Sequence, residues 1–581
     1  MTGVPHPTSL PRWKSLLGGL FFGLVAAPLT ADETSLQWVP AGPQPVATAD
    51  ALLPALPEDL ASRTQSLAHE GRWAEVVSIC ETAARKGTLA AGLRQQYDLA
   101  KMHCDVARRH AEPAFRRQLE VLSEADARRV YSEVLGRIAT HHVDRPDFER
   151  LSRRGRLALD VAIQEPAFVT AHARQTTPER YGLYREQIDR LVGQRPIASQ
   201  ADAESVAAWV ARVAHSVLGI APAVTLMEMT AAAVGGLDEY SAFLTNGQLD
   251  DLYAQIEGRF VGLGVELRAA ADGLLVVHVI PGSPAERAGL RANDHLVGVG
   301  GRSLAGMGVD EAAHLLQGAE GSLVTLAVLR APAPARAVTV RREHVEVPSV
   351  EQARIIDPVA GVAYTKISSF QKTTAKDLEL TLRRLDQQGM RSLVIDLRGN
   401  PGGLLSAAVD VADLFLERGL VVATRGRSPE EDFNYSAGRP GTWRMPLVLL
   451  IDGDSASSSE IFAGAIRDHR RGTIVGSRSY GKGSIQGIFP LETAGVGLRL
   501  TTAQFFSPRG LPYSRVGVEP DLPVQTAARP VSGGVSEPVS DAAGTDGSLP
   551  ADTVLDVAAE TARRLSVRPA TKPVSRSTAA R

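Results

Sequence analysis

Two residue types in this 581-residue chain stand where chemistry could be done: a serine opening a helix and a lysine in a glycine-rich turn. The chain carries 55 Arg and only 8 Lys, so each lysine is a candidate for work that arginine cannot do. Lys482, in RSYGKGSIQG, is the only lysine between Lys376 and Lys572. Arginine stays protonated at any usable pH, whereas apolar neighbours that desolvate a lysine lower its pKa and make it a general base. Gly481 and Gly483 admit close backbone approach, Tyr480 and Ile485 are placed to shield the amine, and Gln486 to orient it. Taken alone, a lysine in such a loop is as often a plain surface charge.

A base needs a nucleophile. IDGDSASSSEIFAGAIRDHRR reads as a strand ending at Ile451, then a serine-rich turn opening an amphipathic helix. Ser457 and Glu460 fit an S-x-x-E capping box, and serines at helix starts are caps far more often than nucleophiles. The same position also exposes a hydroxyl beside free backbone N–H groups. A third stretch, DLRGNPGGLL, places glycines at a strand-to-helix turn, where backbone N–H groups can face an anion or simply make the turn. It mimics the GNSGG of trypsin-like exported proteases, but Pro401 stands at that nucleophile position and excludes their mechanism. A Ser-His-Asp hydrolase fails too. His469, the only histidine after Ser457, lies twelve residues along the same helix, about 18 Å away at 1.5 Å per residue. Metal chemistry has no carrier, because no H-E-x-x-H or similar cluster occurs.

These stretches need elements to hold them. From Gly361 strands alternate with helical patterns (VAYTKIS, TAKDLELTLRRLDQQG, SLVIDLRG, LLSAAVDVADLFLERG, PLVLLID), which predicts a parallel α/β layer. From Phe260 the texture is short β runs with glycine punctuation. Gly262-Leu263-Gly264-Val265 begins a strand whose loop N–H groups could receive a terminal carboxylate, and VIPGSPAERAGLRANDHLVGVGG follows in the order of a PDZ domain. Upstream, EGRWAEVVSICETAARKG and LAAGLRQQYDLAKMHCDVARRH predict a helix pair of tetratricopeptide type. At the N-terminus, Arg12 and Lys14 precede the 13 apolar residues SLLGGLFFGLVAA, the form of a secretory signal cleaved near Ala27 or Ala31 rather than of an uncleaved anchor.

DLRGNPGGLL, DSASSSEIFAGAIRD and YGKGSIQ, in this order behind a PDZ-like module, resemble the C-terminal processing (tail-specific) peptidases, serine endopeptidases with a Ser-Lys dyad. The resemblance covers about residues 130–525, and LDEYSAFL, VAYTKISSFQKTTAKDLE and LRLTTAQFFSPRG also look like the family's. It implies Ser457 as nucleophile and Lys482, 25 residues downstream, as general base, with Gln486 holding the lysine. It further implies the Gly403 and Ser458 amides as oxyanion donors, Asp468 in a supporting role, and no cofactor or metal. Two positions depart from the pattern. Ser458 replaces an alanine but keeps its N–H. Gln317 stands where an arginine is usual, which puts any arginine relay from the PDZ domain in doubt.

The resulting expectation is a multidomain α/β protein with an N-terminal helical region, a PDZ domain and a serine-protease core of crotonase-like (ClpP/crotonase) layering. Its parts are a signal peptide (1–31), a linker (32–57), a helical module (58–130), the helical part of the peptidase (131–255), the PDZ domain (256–345), the core (346–525) and a Pro/Ser/Ala-rich tail with one helical patch (526–581). The partners expected are protein or peptide substrates with free C-terminal tails, an adaptor on the helical module and further copies in an oligomer. The location expected is the periplasm or cell envelope, with peripheral membrane contact at most. A net charge of −2 leaves no field for nucleic acid. Cys80 and Cys104 exclude a disulfide-stapled fold and a four-ligand zinc module; after export they would either pair or stay buried thiols. A catalytically silent adaptor and a protease gated by a partner are the competing readings.

Overall fold

A computed structural model describes residues 21–23, 57–524 and 552–567, with breaks at 86–88, 193–195, 271–272, 306–314, 317, 319 and 331. The signal and linker expectations for 1–57 therefore fall almost wholly outside the described residues, as does Gln317.

The core is built on a six-stranded sheet in the order Val350–Asp357, Val362–Ile367, Ser392–Asp396, Leu447–Ile451, Thr473–Gly476, Leu522–Pro523. All pairings are parallel except the first. LVLLI throughout and the interior LVI of SLVID are apolar because both faces are covered, as parallel sheets require. Ala363, Leu393, Ile395, Leu447, Leu449 and Ile474 face a core shared with the helices Thr374–Gln387, Leu405–Asp413 and Ser458–Asp468 and with a second sheet. Alternate residues Val362, Tyr364, Val394, Val448, Leu450 and Val475 face the opposite way.

That outer face is covered by the tail. Val554, Ala558 and Ala562, spaced by four on the helix Thr553–Val567, are buried against it. Arg398 forks onto Asp552 (2.9 and 2.7 Å) while also bonding Asp396, and Arg563 reaches Asp357 at 2.8 Å. The helical patch foreseen in the tail is thus a structural layer of the core. An arginine forced into its fully buried seam by Ala558→Arg should destabilise the protein by about 2–4 kcal/mol, read as a lowered thermal midpoint.

The second sheet runs Gly403–Leu404, Phe21–Gly23, Ser484–Pro490, Gly497–Phe506, Gly419–Gly426, Phe433–Ala437, with Ala242–Leu244 also on Gly497–Phe506. The backbone of Phe21–Gly23 lies antiparallel to both neighbours, opposite Gly403–Leu404 on one side and Gln486–Gly487 on the other.

Upstream helices form one core from Met102 to Val234, completed by Phe489, Leu498 and Leu500 of the second sheet and by Leu491 just after its strand. That core runs across residue 130. The boundary expected there is not a domain boundary: the long helix Ala91–Ala111 carries both a small cluster (Leu67, Val76, Cys80, Ala100) and part of the main core. Cys80 and Cys104 are free thiols, Cys80 fully buried and Cys104 half-buried, so the pairing alternative is not realised.

A third sheet, in the order Val265–Ala270, Gly273–Val279, His295–Val299, Leu323–Leu329, Arg336–Arg341, closes on its own apolar core. Its link to the rest is the antiparallel pair Arg259–Gly262 with Glu343–Glu346.

Candidate active site

The helix Ser458–Asp468 starts where the parallel strand Leu447–Ile451 ends, so its first turn sits at the carboxyl edge of the sheet. Ser457 precedes it at φ 55°, ψ −114°, a left-handed conformation rare outside glycine. Gly402 makes this turn possible from the other side, since a Cβ there would come within 2.8 Å of Ser457 Cβ. The capping box is only half made. The Glu460 carboxylate accepts from the Ser457 N–H at 2.7 Å, but the Ser457 Oγ, fully buried, has no hydrogen-bond partner among the described residues. A cap would have used that hydroxyl. Here it is left for something else.

Glu460 joins the nucleophile's turn to the lysine's. The oxygen that holds Ser457 N also accepts from Lys482 N at 3.0 Å, and the other oxygen accepts from Gly481 N and Ser479 Oγ, both at 2.6 Å. The Ser457 and Lys482 backbones are thereby no farther apart than two hydrogen bonds laid end to end. Burial pushes the Glu460 carboxyl up to about 7, against four donors that favour its charged form.

Lys482 is 1% exposed, one of the largest fully buried side chains. Burial lowers its pKa well below the ordinary lysine value, and Arg499 pushes the same way against Glu460, Glu239 and Asp238. The aromatic ring beside the amine is not the one expected. Tyr480 is 39% exposed, whereas Tyr240 of LDEYSAFL lies with its ring centroid 4.8 Å from Nζ. Ile485 is buried in the hydrophobic core. Gln486, fully buried, gives its Nε2 to Ser484 Oγ at 3.0 Å and to Thr501 Oγ1 at 3.4 Å.

Gly403 stands beside this turn: Ser458 Oγ donates to its carbonyl at 2.9 Å, and Leu404 N to Phe370 O at 2.7 Å. A Cβ at Gly403 would lie 2.1 Å from Phe370 O, so only glycine fits. Asp468 is not brought in. It ends the same helix eleven residues beyond Ser457, about 16.5 Å away at 1.5 Å per residue, and accepts from Arg509 N at 3.2 Å. His469 is likewise remote and bonds Leu420 O at 2.7 Å.

The loop Gly262–Val265 lies in the third sheet's module, apart from these residues. Leu263 O accepts from Ala285 N (2.8 Å), and Gly264 O from Ile280 N (3.0 Å). In a trans peptide the N–H points opposite its carbonyl, so the Gly264 and Val265 amides face away from the module's interior. Gly264 has φ 81° and a Cβ there would meet Ser283 Cβ at 2.3 Å.

Glu460 was legible only as a cap, from S-x-x-E. The contributions of Asp238, Tyr240 and Thr501 carried no spacing signal, because they come from a loop and a strand about 240 and 20 residues from the lysine. Among the described residues no group of three or more His, Cys, Asp or Glu could hold a metal.

Residues 361–524 match peptidase family S41, and residues 275–330 match the PDZ domain. The fold and site therefore define a serine-type peptidase with a PDZ domain. The chain is 35% identical over 295 residues to a carboxy-terminal-processing protease of Bartonella bacilliformis, covering 50% of this chain and 67% of that one. It is 32% identical over 306 residues to a probable CtpA-like serine protease of Staphylococcus aureus, covering 52% and 60%. A solved structure of a photosystem II D1 C-terminal processing protease shares 25% identity over 70% of this chain and 94% of its own, with a TM-score of 0.36. The chain belongs to the C-terminal processing peptidases of family S41.

Proposed function

We propose that the protein is an exported endopeptidase that captures the C-terminal tails of substrate proteins on its PDZ domain and cleaves upstream with Ser457 and Lys482. The observation that carries this reading is one carboxylate, Glu460, holding the turn of a serine hydroxyl that has no partner among the described residues against the turn of a fully buried lysine. Neutral Lys482 takes the Ser457 proton as Oγ attacks the peptide carbonyl. The oxyanion is met by the Gly403 and Ser458 amides, each such donor contributing about 3 kcal/mol to transition-state binding. The lysine returns its proton to the leaving amine, and water, activated by the same base, releases the acyl-enzyme. Gln486 orients the lysine. An extended peptide is accommodated between Gly403–Leu404 and Gln486–Gly487, antiparallel to both, as the backbone of Phe21–Gly23 lies. The carboxylate of the tail is received at Gly262–Val265, where the Gly264 and Val265 amides point outward.

The test is mass spectrometry of an unfolded protein incubated with the full chain and with Ser457→Ala, each substrate supplied with a free or an amidated apolar C-terminus. Fragments from the wild type alone, fewer when the C-terminus is amidated, are expected. Equal fragments from Ser457→Ala would refute the nucleophile. Indifference to amidation would refute tail capture.

A further inference from the structure

The loop that carries Asp238 links the helical region to the lysine's pocket. Asp238 accepts five hydrogen bonds: Oδ1 from Tyr240 N (2.7 Å), Ser241 N (2.8 Å) and Thr501 Oγ1 (3.0 Å), Oδ2 from Ser241 Oγ (2.8 Å) and His142 Nε2 (2.9 Å). Burial opposes its charge, but the bonds from His142, Ser241 and the two amides prevail and hold its pKa at about 2. A carboxylate has no proton to give, so each of these partners must donate.

Direction then propagates. The single hydroxyl proton of Thr501 is committed to Asp238, which leaves Thr501 Oγ1 to act only as an acceptor toward its other neighbour, Gln486. With Ser484 Oγ at 3.0 Å, it fixes which end of the Gln486 amide is nitrogen. Oε1 is turned the other way, buried and with no hydrogen-bond partner among the described residues. The same loop lays the Tyr240 ring on the lysine side of the pocket. His142 closes the network at the end of the helix Glu124–His141. Asp144 offers its Nδ1 both an N–H (3.1 Å) and a carbonyl (3.0 Å), and the next residue, Val143, donates its N–H to Thr501 O at 2.8 Å.

We propose that Asp238, clamped by His142, is a positioning residue: through Thr501 it sets the Gln486 amide so that Oε1, not Nε2, is presented to Lys482. This inference rests on the reading of Ser457 and Lys482 as nucleophile and base. The helical region is then part of the catalytic apparatus, because it supplies the carboxylate that orients the lysine's partner.

Thr501→Val keeps shape and strand preference but removes both the acceptor and the donor; Thr501→Ser keeps both. Freed to flip, Gln486 turns donors toward the amine and no longer stabilises an ammonium. In Thr501→Val we expect kcat to fall about tenfold or more with KM within about twofold, and the acid limb of the pH–rate profile to move to lower pH. Thr501→Ser should restore both. The other charged groups facing the amine, Arg499, Glu460, Glu239 and Asp238, are unchanged in either variant. Asp238→Asn should move the limb the same way, with its thermal unfolding followed in parallel. A second readout is the pH dependence of Ser457 modification by a small sulfonyl fluoride, located by mass spectrometry, which needs no peptide substrate. A wild-type limb in Thr501→Val, or equal losses in the valine and serine variants, would overturn the relay. Labelling of Ser457 without peptide cleavage would sink the tail-peptidase reading alone, and the shift of the labelling limb would still decide the relay. A wild type that is not labelled would overturn both.

Discussion

Lys482→Met is expected to lower kcat by about three orders of magnitude or more while leaving the fold intact or firmer. The lysine is 1% exposed, and burial is the main reason its pKa falls well below the ordinary value. Methionine has nearly the same shape and no amine, so it removes the base without leaving a buried charge or a cavity. What remains is positioning and oxyanion stabilisation, which serine peptidases retain when their base is lost. Lys482→Arg should be equally silent, because a guanidinium does not deprotonate. The wild type should lose activity as pH falls through the lysine's lowered pKa, since only the neutral amine takes the serine proton. Peptide cleavage followed across pH, with thermal unfolding of each variant, checks this. A methionine variant keeping more than about 1% of wild-type kcat would remove Lys482 from the mechanism.

Glu460 carries the second large effect. Glu460→Ala leaves Ser457 N, Lys482 N, Gly481 N and Ser479 Oγ buried without their acceptor. At about 1–3 kcal/mol for each unsatisfied group, a loss of about 4 kcal/mol or more is expected even after relaxation. Glu460→Gln is the more informative change. It keeps the volume, but its amide nitrogen must face donors that the carboxylate accepted from, so kcat should fall about a hundredfold with the fold retained. Titration of this one carboxyl also sets opposite pH trends for stability and activity. The folded pKa of about 7 lies above the ordinary 4.5, so the carboxyl favours folding most below pH about 4.5, and that advantage is lost as pH rises through about 7. The loss amounts to about 3 kcal/mol. Activity needs the ionised form and runs the other way, adding to the acid limb of Lys482 as a coupled pair. Comparing thermal midpoints of the wild type and Glu460→Gln from pH 5 to 8 checks this: the gap should narrow as pH rises. A gap independent of pH would contradict it.

The chain's chemistry was legible wherever it is local. Lys482 was conspicuous because arginine fills nearly every other basic position, and Ser457 because a strand, a serine turn and an amphipathic helix follow one another without interruption. The alternation of strands and helices after Gly361, the PDZ order after Phe260 and the helical character before residue 235 all rest on periodicity within single elements. The distinction between cap and nucleophile did not follow from sequence. S-x-x-E serves both, and only the folded turn shows that Glu460 reaches back while the Ser457 hydroxyl has no partner among the described residues. Nor was the ring beside Lys482 legible. Tyr480 is its near neighbour in sequence but points toward solvent, and Tyr240 arrives from a loop 242 residues earlier.

By itself the sequence determined which elements form and which side chains within them are able to react, because propensity, periodicity and motif spacing act over a few turns of chain. Only the tertiary structure decided who meets whom. It brought Asp238 and Thr501 to Gln486, Glu460 to both halves of the dyad, and the tail helix onto the outer face of the sheet. Apart from Glu460 and Ser457, which are 3 residues apart, those pairings join residues from 15 to 263 positions apart, and what selects them is the burial of whole faces and the satisfaction of buried donors.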